Sequence, residues 1–239
     1  MSRHFQAIGF ELTNAAELKE LARTAVEKGK LYRSGRKGMP EAVFLWDLGR
    51  GLQVWVGTNR ADQESMEILS CLPGFAASAV TEAALRAYRF ELRPERPGEV
   101  FLRGRFEDGA EIDAHLLNLA FHDDLPSRGL ELKVILTGLV LSRDEAALPL
   151  PAETQDKADT PSPARVFVSV DHDAHGLVSG RIDAAREVVN FHTGAKLVAF
   201  TLDAGHGLFT LIGPSRLFPK LPEPGEPFNG MIWLTAQLP

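Results

Sequence analysis

Phe228-Asn229-Gly230-Met231-Ile232-Trp233-Leu234-Thr235-Ala236-Gln237-Leu238 decides how the chain is read. Phe228, Gly230, Ile232, Leu234, Ala236 and Leu238 fall on one side of an extended strand, and Asn229, Met231, Trp233, Thr235 and Gln237 on the other. A period of two is what a strand needs when one face lies in a core. Met231 and Trp233 then sit on the side away from Ile232 and Leu234. Leaving both wet is unfavourable; covering them contributes roughly 2–4 kcal/mol by area. The cover is the rest of the chain, a second copy or a partner, and Met231 and Trp233 are therefore a candidate binding surface.

Working back, Arg165–Val170, Leu177–Ile182, Ala195–Asp203 and Leu208–Ile212 read as four more short strands, with Pro222-Glu223-Pro224-Gly225 as a turn. Five short strands in residues 165–239 suggest a small antiparallel barrel. Before them, residues 143–164 carry two basic and five acidic residues, a balance of −3, among prolines and alanines without an apolar period. That stretch reads as a linker. The expected organisation is an α+β domain over residues 1–142, an acidic linker over 143–164 and a barrel over 165–239.

Ser179-Gly180-Arg181-Ile182-Asp183, followed by Thr193-Gly194-Ala195-Lys196-Leu197-Val198-Ala199-Phe200-Thr201-Leu202, resembles the early part of bacterial single-stranded-DNA-binding proteins. The resemblance implies an OB-like barrel for residues 165–239. It would also imply a basic, aromatic binding face. The chain departs from that: its net charge is −6 and no region is basic, which argues against nucleic acid as the main partner. Leu102-Arg103-Gly104-Arg105-Phe106 echoes Val178-Ser179-Gly180-Arg181-Ile182, and chance similarity between β-rich segments is the favoured explanation.

In the first domain, His4–Leu12 reads as a strand. Asn14-Ala15-Ala16-Glu17 has the spacing of a capping box, and Leu18, Leu21, Ala22, Ala25 and Val26 form one apolar stripe ending at Gly29, so an amphipathic helix is expected. Lys28, Lys30, Arg33, Arg36 and Lys37 then place five positive charges in a Gly-containing loop, a candidate clamp for an anion or for single-stranded nucleic acid. Glu41–Leu48 and Leu52–Gly57 read as a hairpin, Met66–Leu72 as a strand stopped by Pro73-Gly74, and Thr81–Tyr88 as a short helix. Val100–Phe106, Ala114–Phe121 and Leu130–Ser142 read as strands.

The densest polar cluster is Asp171, His172, Asp173 and His175. Two imidazoles three residues apart among carboxylates have the donor types that hold a divalent metal. No nucleophile-elbow, zinc-protease or paired-cysteine signature accompanies them, and no organic cofactor is expected. The lone Cys71 cannot form an internal disulfide, no apolar run approaches a membrane span, and Met1–Phe5 holds no apolar signal core. A cytoplasmic protein is therefore expected. The leading functional expectation is a non-catalytic binding or assembly module with a protein partner or as a homo-oligomer. A metal-dependent enzyme and a single-stranded nucleic-acid binder are the alternatives.

Overall fold

A computed structural model describes residues 3–60, 66–76, 82–107, 109–122, 124–143, 166–170, 173–204 and 208–239. The first helix, α1, is one turn at Arg3–Gln6, and the second, α2, spans Ala15–Lys28. Strands β1 (Lys30–Arg33), β2 (Ala42–Gly49), β3 (Leu52–Thr58) and β4 (Ile68–Phe75) form a four-stranded antiparallel sheet in chain order. Next come β5 (Glu82–Leu92), β6 (Val100–Arg105), β7 (Glu111–Leu116) and β8 (Arg128–Arg143). The last five are β9 (Val166–Ser169), β10 (His175–Val189), β11 (Lys196–Asp203), β12 (Leu208–Pro214) and β13 (Pro227–Gln237). Strands β5 to β13 form one nine-stranded sheet. Among the described residues no helix is long and apolar enough to cross a membrane.

The helix α2 forms as its sequence requires. Asn14 Oδ1 accepts from the Glu17 N–H at 3.0 Å, while Glu17 reaches back to the Thr13 N–H at 2.6 Å. Leu21, Ala22, Ala25 and Val26 are its buried face. The expected strand at His4–Leu12 does not form. The chain turns there instead, with Ile8 and Phe10 N–H donating to the Phe5 carbonyl and Gly9 at φ +89°.

Two further expectations are corrected. Thr81–Tyr88 is not a helix: the described part, from Glu82, is strand β5. Leu85 and Tyr88 are buried three positions apart, which is helical spacing. The cause is a bulge between Arg86 and Arg89, with Ala87 at φ +51°, that breaks the strand alternation. Likewise β4 runs through Pro73-Gly74 to Phe75. Proline is tolerated because β4 is an edge strand bonded only to β3. Gly74 is needed because a Cβ there would lie 2.8 Å from Trp55 Nε1.

The fold class is also corrected, from α+β with an OB-like barrel to a mainly β molecule of two sheets. Residues 165–239 do not close on themselves. Strand β12 pairs parallel with β8 at Thr210–Ile212, and β13 pairs antiparallel with β8 over Gly230–Gln237. The expected linker, 143–164, lies outside the described residues apart from Arg143, the last residue of β8.

The nine-stranded sheet has a repeating plan. The β8–β13 pair is its centre. Ile135 of β8 is bonded to both Glu82 of β5 and Gln237 of β13, and Thr137 to both Thr210 of β12 and Thr235 of β13. Thus β5 and then β12 share one edge of β8, with β13 on the other. On β13 the same holds: β10 pairs as far as Trp233, and β7 takes over at Thr235. Two antiparallel meanders, β5-β6-β7 and β10-β11-β12, therefore close two rings through a shared central pair. Leu85 and Val178 are equivalent positions in this plan, and both are fully buried. The Leu102–Phe106 and Val178–Ile182 motifs start on non-equivalent strands, β6 and β10, so their likeness does not follow the structural repeat.

One apolar core fills the rings, built on Leu85, Leu102, Val178, Leu202, Phe228 and Ile232. A second lies between the nine-stranded sheet and the layer of α1, α2 and β2–β4, with Phe44, Val54, Phe75, Leu139, Ile212 and Trp233.

Candidate functional site

The site arises where β13 changes neighbours. His175 lies opposite Trp233, and His115 opposite Thr235. Directly opposed residues share a face, as do residues two apart on one strand. Both imidazoles therefore emerge beside Trp233 on the face that the N-terminal layer covers. The result is a cleft of about 490 Å³ lined by residues that include His4, Cys71, Leu72, Arg96, Glu99, His115, Leu141, Asp173, His175, Met231 and Trp233.

Trp233 organises these groups. Its ring stacks on His4 at 4.4 Å and 11°, and meets His115 at 4.5 Å. Its Nε1–H donates to the Asp173 carbonyl at 3.1 Å. His4 and His175 share a hydrogen bond between their Nε2 atoms at 3.1 Å, one ring donating and the other accepting. The side chain of Asp173 accepts from Arg93 at 2.9 Å and from Arg96 at 2.7 Å. The Arg93 guanidinium lies 3.6 Å from the centre of the Phe101 ring, which itself lies 4.2 Å from His115.

His115 stands out. It is 1% exposed, and neither ring nitrogen has a hydrogen-bond partner. The carboxylate of Glu99 lies 3.6 Å from Nδ1, beyond hydrogen-bond range. Burial first, then electrostatic opposition from its neighbours, the Arg96 and Arg93 guanidiniums among them, holds this imidazole well below its ordinary pKa, so it is neutral at pH 7. Glu99 is shifted the other way. Burial raises its pKa, Arg96 opposes the shift, Asp173 adds to it and Arg93 again opposes it. Burial pushes the Cys71 thiol up to about 12, so it is not a nucleophile at neutral pH.

Of the predicted metal ligands, Asp171 and His172 lie outside the described residues. Asp173 and His175 both reach the cleft, but Asp173 is held by two arginines and His175 by His4. Among the described residues no group of three metal-donor side chains converges.

Both residues of the expected binding surface, Met231 and Trp233, line this cleft. Trp233 is 2% exposed and covered by its own chain, and Met231 is half-buried in the same cleft. Among the basic residues of the expected clamp, Arg36 is tied to backbone carbonyls, while Lys30, Arg33 and Lys37 are exposed. Lys30 lies over Tyr32 at 4.9 Å, and Arg36 donates to the His122 and Leu125 carbonyls at 3.3 and 2.7 Å.

His4, Glu99, Arg93, Arg96 and His115 were not legible as a site. His115 alternates with Glu111 and Asp113 on the polar side of β7, where sequence alone puts it in water. No family model, curated protein or solved structure matches the chain.

Proposed function

We propose that this protein is a binding module whose cleft at His115 takes a small molecule. One observation carries the reading: a fully buried imidazole, aimed into a cleft, with both nitrogens unpartnered. Leaving buried polar atoms unsatisfied costs about 1–3 kcal/mol. Such a cost is commonly kept where a ligand supplies the missing partner. The surroundings support this. The neutral ring offers one donor and one acceptor, and neighbouring rings hold it in place.

The test is His115→Leu, close in volume and without polar atoms. If His115 serves a ligand, the variant gains about 3–8 °C in thermal midpoint. Any acid, alcohol, amine or amide that raises the wild-type midpoint no longer does so in the variant. A lower midpoint for His115→Leu, with ligand-induced shifts unchanged, would show that the ring is a structural element and sink the reading.

A further inference from the structure

We infer that the ligand is an uncharged amphiphile: a hydroxyl or amide head donates a hydrogen bond to His115, and its apolar body lies along Leu72, Pro73, Leu141 and Met231. This rests on the binding reading above and names the chemistry of the same site. The cleft wall is divided by element. Strand β7, the start of β10 and the turns before β6 and β10 supply Arg96, Glu99, His115, Asp173 and His175. Helix α2 and strands β4, β8 and β13 supply Leu18, Leu72, Pro73, Leu141 and Met231. A ligand that fills this space meets polar groups on one wall and hydrocarbon on the other.

The charges of the polar wall are committed to one another. Arg96 donates to Asp173 at 2.7 Å and lies 3.8 Å from Glu99, and Arg93, from outside the cleft, donates to Asp173 at 2.9 Å. Arg3 completes the lining as two cations against two carboxylates, and is itself exposed. A charged head would be buried here without a counter-charge of its own, which is unfavourable. A neutral head needs only hydrogen bonds, and His115 decides their direction. Its Nδ1 is the nitrogen beside the Glu99 carboxylate, at 3.6 Å. A carboxylate in that place favours the tautomer with the proton on Nδ1, leaving Nε2 as a bare acceptor. Nε2 has no hydrogen-bond partner among the described residues, so the group that completes it must donate. A hydroxyl or an amide N–H does this, and an ether oxygen does not.

The experiment is calorimetric titration of the full chain at pH 7 with hexanol, hexyl methyl ether, hexanoate, hexylamine and ethanol. Hexanol is expected to bind at least about tenfold more tightly than ethanol, because a longer apolar body leaves water. It should also bind about tenfold more tightly than the ether, which cannot donate, and at least about tenfold more tightly than hexanoate or hexylamine. Met231→Gln should weaken hexanol severalfold, and His115→Leu should abolish its binding. In the free protein, NMR of the imidazole nitrogens should find His115 protonated at Nδ1. Protonation at Nε2, or an ether that binds as tightly as hexanol, overturns the donating head. Hexanoate or hexylamine binding as tightly as hexanol overturns the uncharged head but leaves a ligand site. No hexyl compound binding, with His115→Leu more stable than wild type, overturns the amphiphile and spares the site. No binding together with a destabilised His115→Leu overturns both.

Discussion

The two edges of the central strand pair are built alike and used differently. On β13 the change from β10 to β7 sets His175 and His115 beside Trp233 and Thr235. On β8 the change from β5 to β12 sets Glu82 and Thr210 beside Ile135 and Thr137. The second junction is wetter: Glu82 is exposed and pairs with Lys133 at 3.3 Å, and Ile135 and Thr210 are half-buried. The first lies under α1, α2 and β4, which half-bury His175 and remove His115 from water. Topology supplies the convergence of side chains twice. Chemistry develops where a second layer lowers the dielectric and removes the competing water.

The sharpest test of this contrast is a pair of truncations at equivalent positions. Trp233→Ala removes the ring that holds His4, His115 and the Asp173 turn, and should cost about 3–5 kcal/mol in chemical denaturation at unchanged molecular mass. Ile135→Ala should cost only about 1–2 kcal/mol, because its side chain is half-buried. Equal costs would mean that the N-terminal layer supports both junctions alike. A change of oligomeric state in Trp233→Ala, with the monomer still folded, would restore an interface role for Trp233.

Acid is the second probe. Burial depresses His115 in the folded chain, whereas the unfolded chain titrates near pH ~6.5. The unfolded state therefore takes the proton first, and this contribution to stability is lost as pH falls below about 6.5. Glu99 acts in the opposite sense: its raised pKa lets the folded state bind a proton before the unfolded state, returning part of the loss at lower pH. His115→Leu should therefore gain on wild type by up to about 1.4 kcal/mol per pH unit below that point. Parallel profiles would mean that the imidazole protonates as readily folded as unfolded. The smallest effect belongs to the wet junction. Glu82→Gln breaks an exposed ion pair with Lys133 and should change stability by less than about 0.5 kcal/mol at any of these pH values.

Much of the secondary structure was legible because it follows from local rules. The Asn14 cap and the Leu21–Val26 stripe specify α2 within one segment. The alternation of β13, and of β8 from Leu130 onward, specifies strands whatever they pair with. Where the reading failed, a neighbour had overridden the pattern. The bulge at Ala87 gives β5 a helical spacing of buried residues, and the edge position of β4 lets it carry Pro73.

The sequence by itself determined that the segments of β8 and β13 are extended, where α2 begins and ends, and that Trp233 must be covered. Only the tertiary structure decided what covers it, that β8 and β13 close two rings from both halves of the chain, and that His115 is buried. The physical reason is range. Alternation and capping act between residues a few positions apart. The pairing of β13 with β7 joins residues about 120 positions apart, and the burial of His115 depends on a layer from the N-terminal end. Nothing in the residues around His115 distinguishes a strand's solvent face from the floor of a cleft.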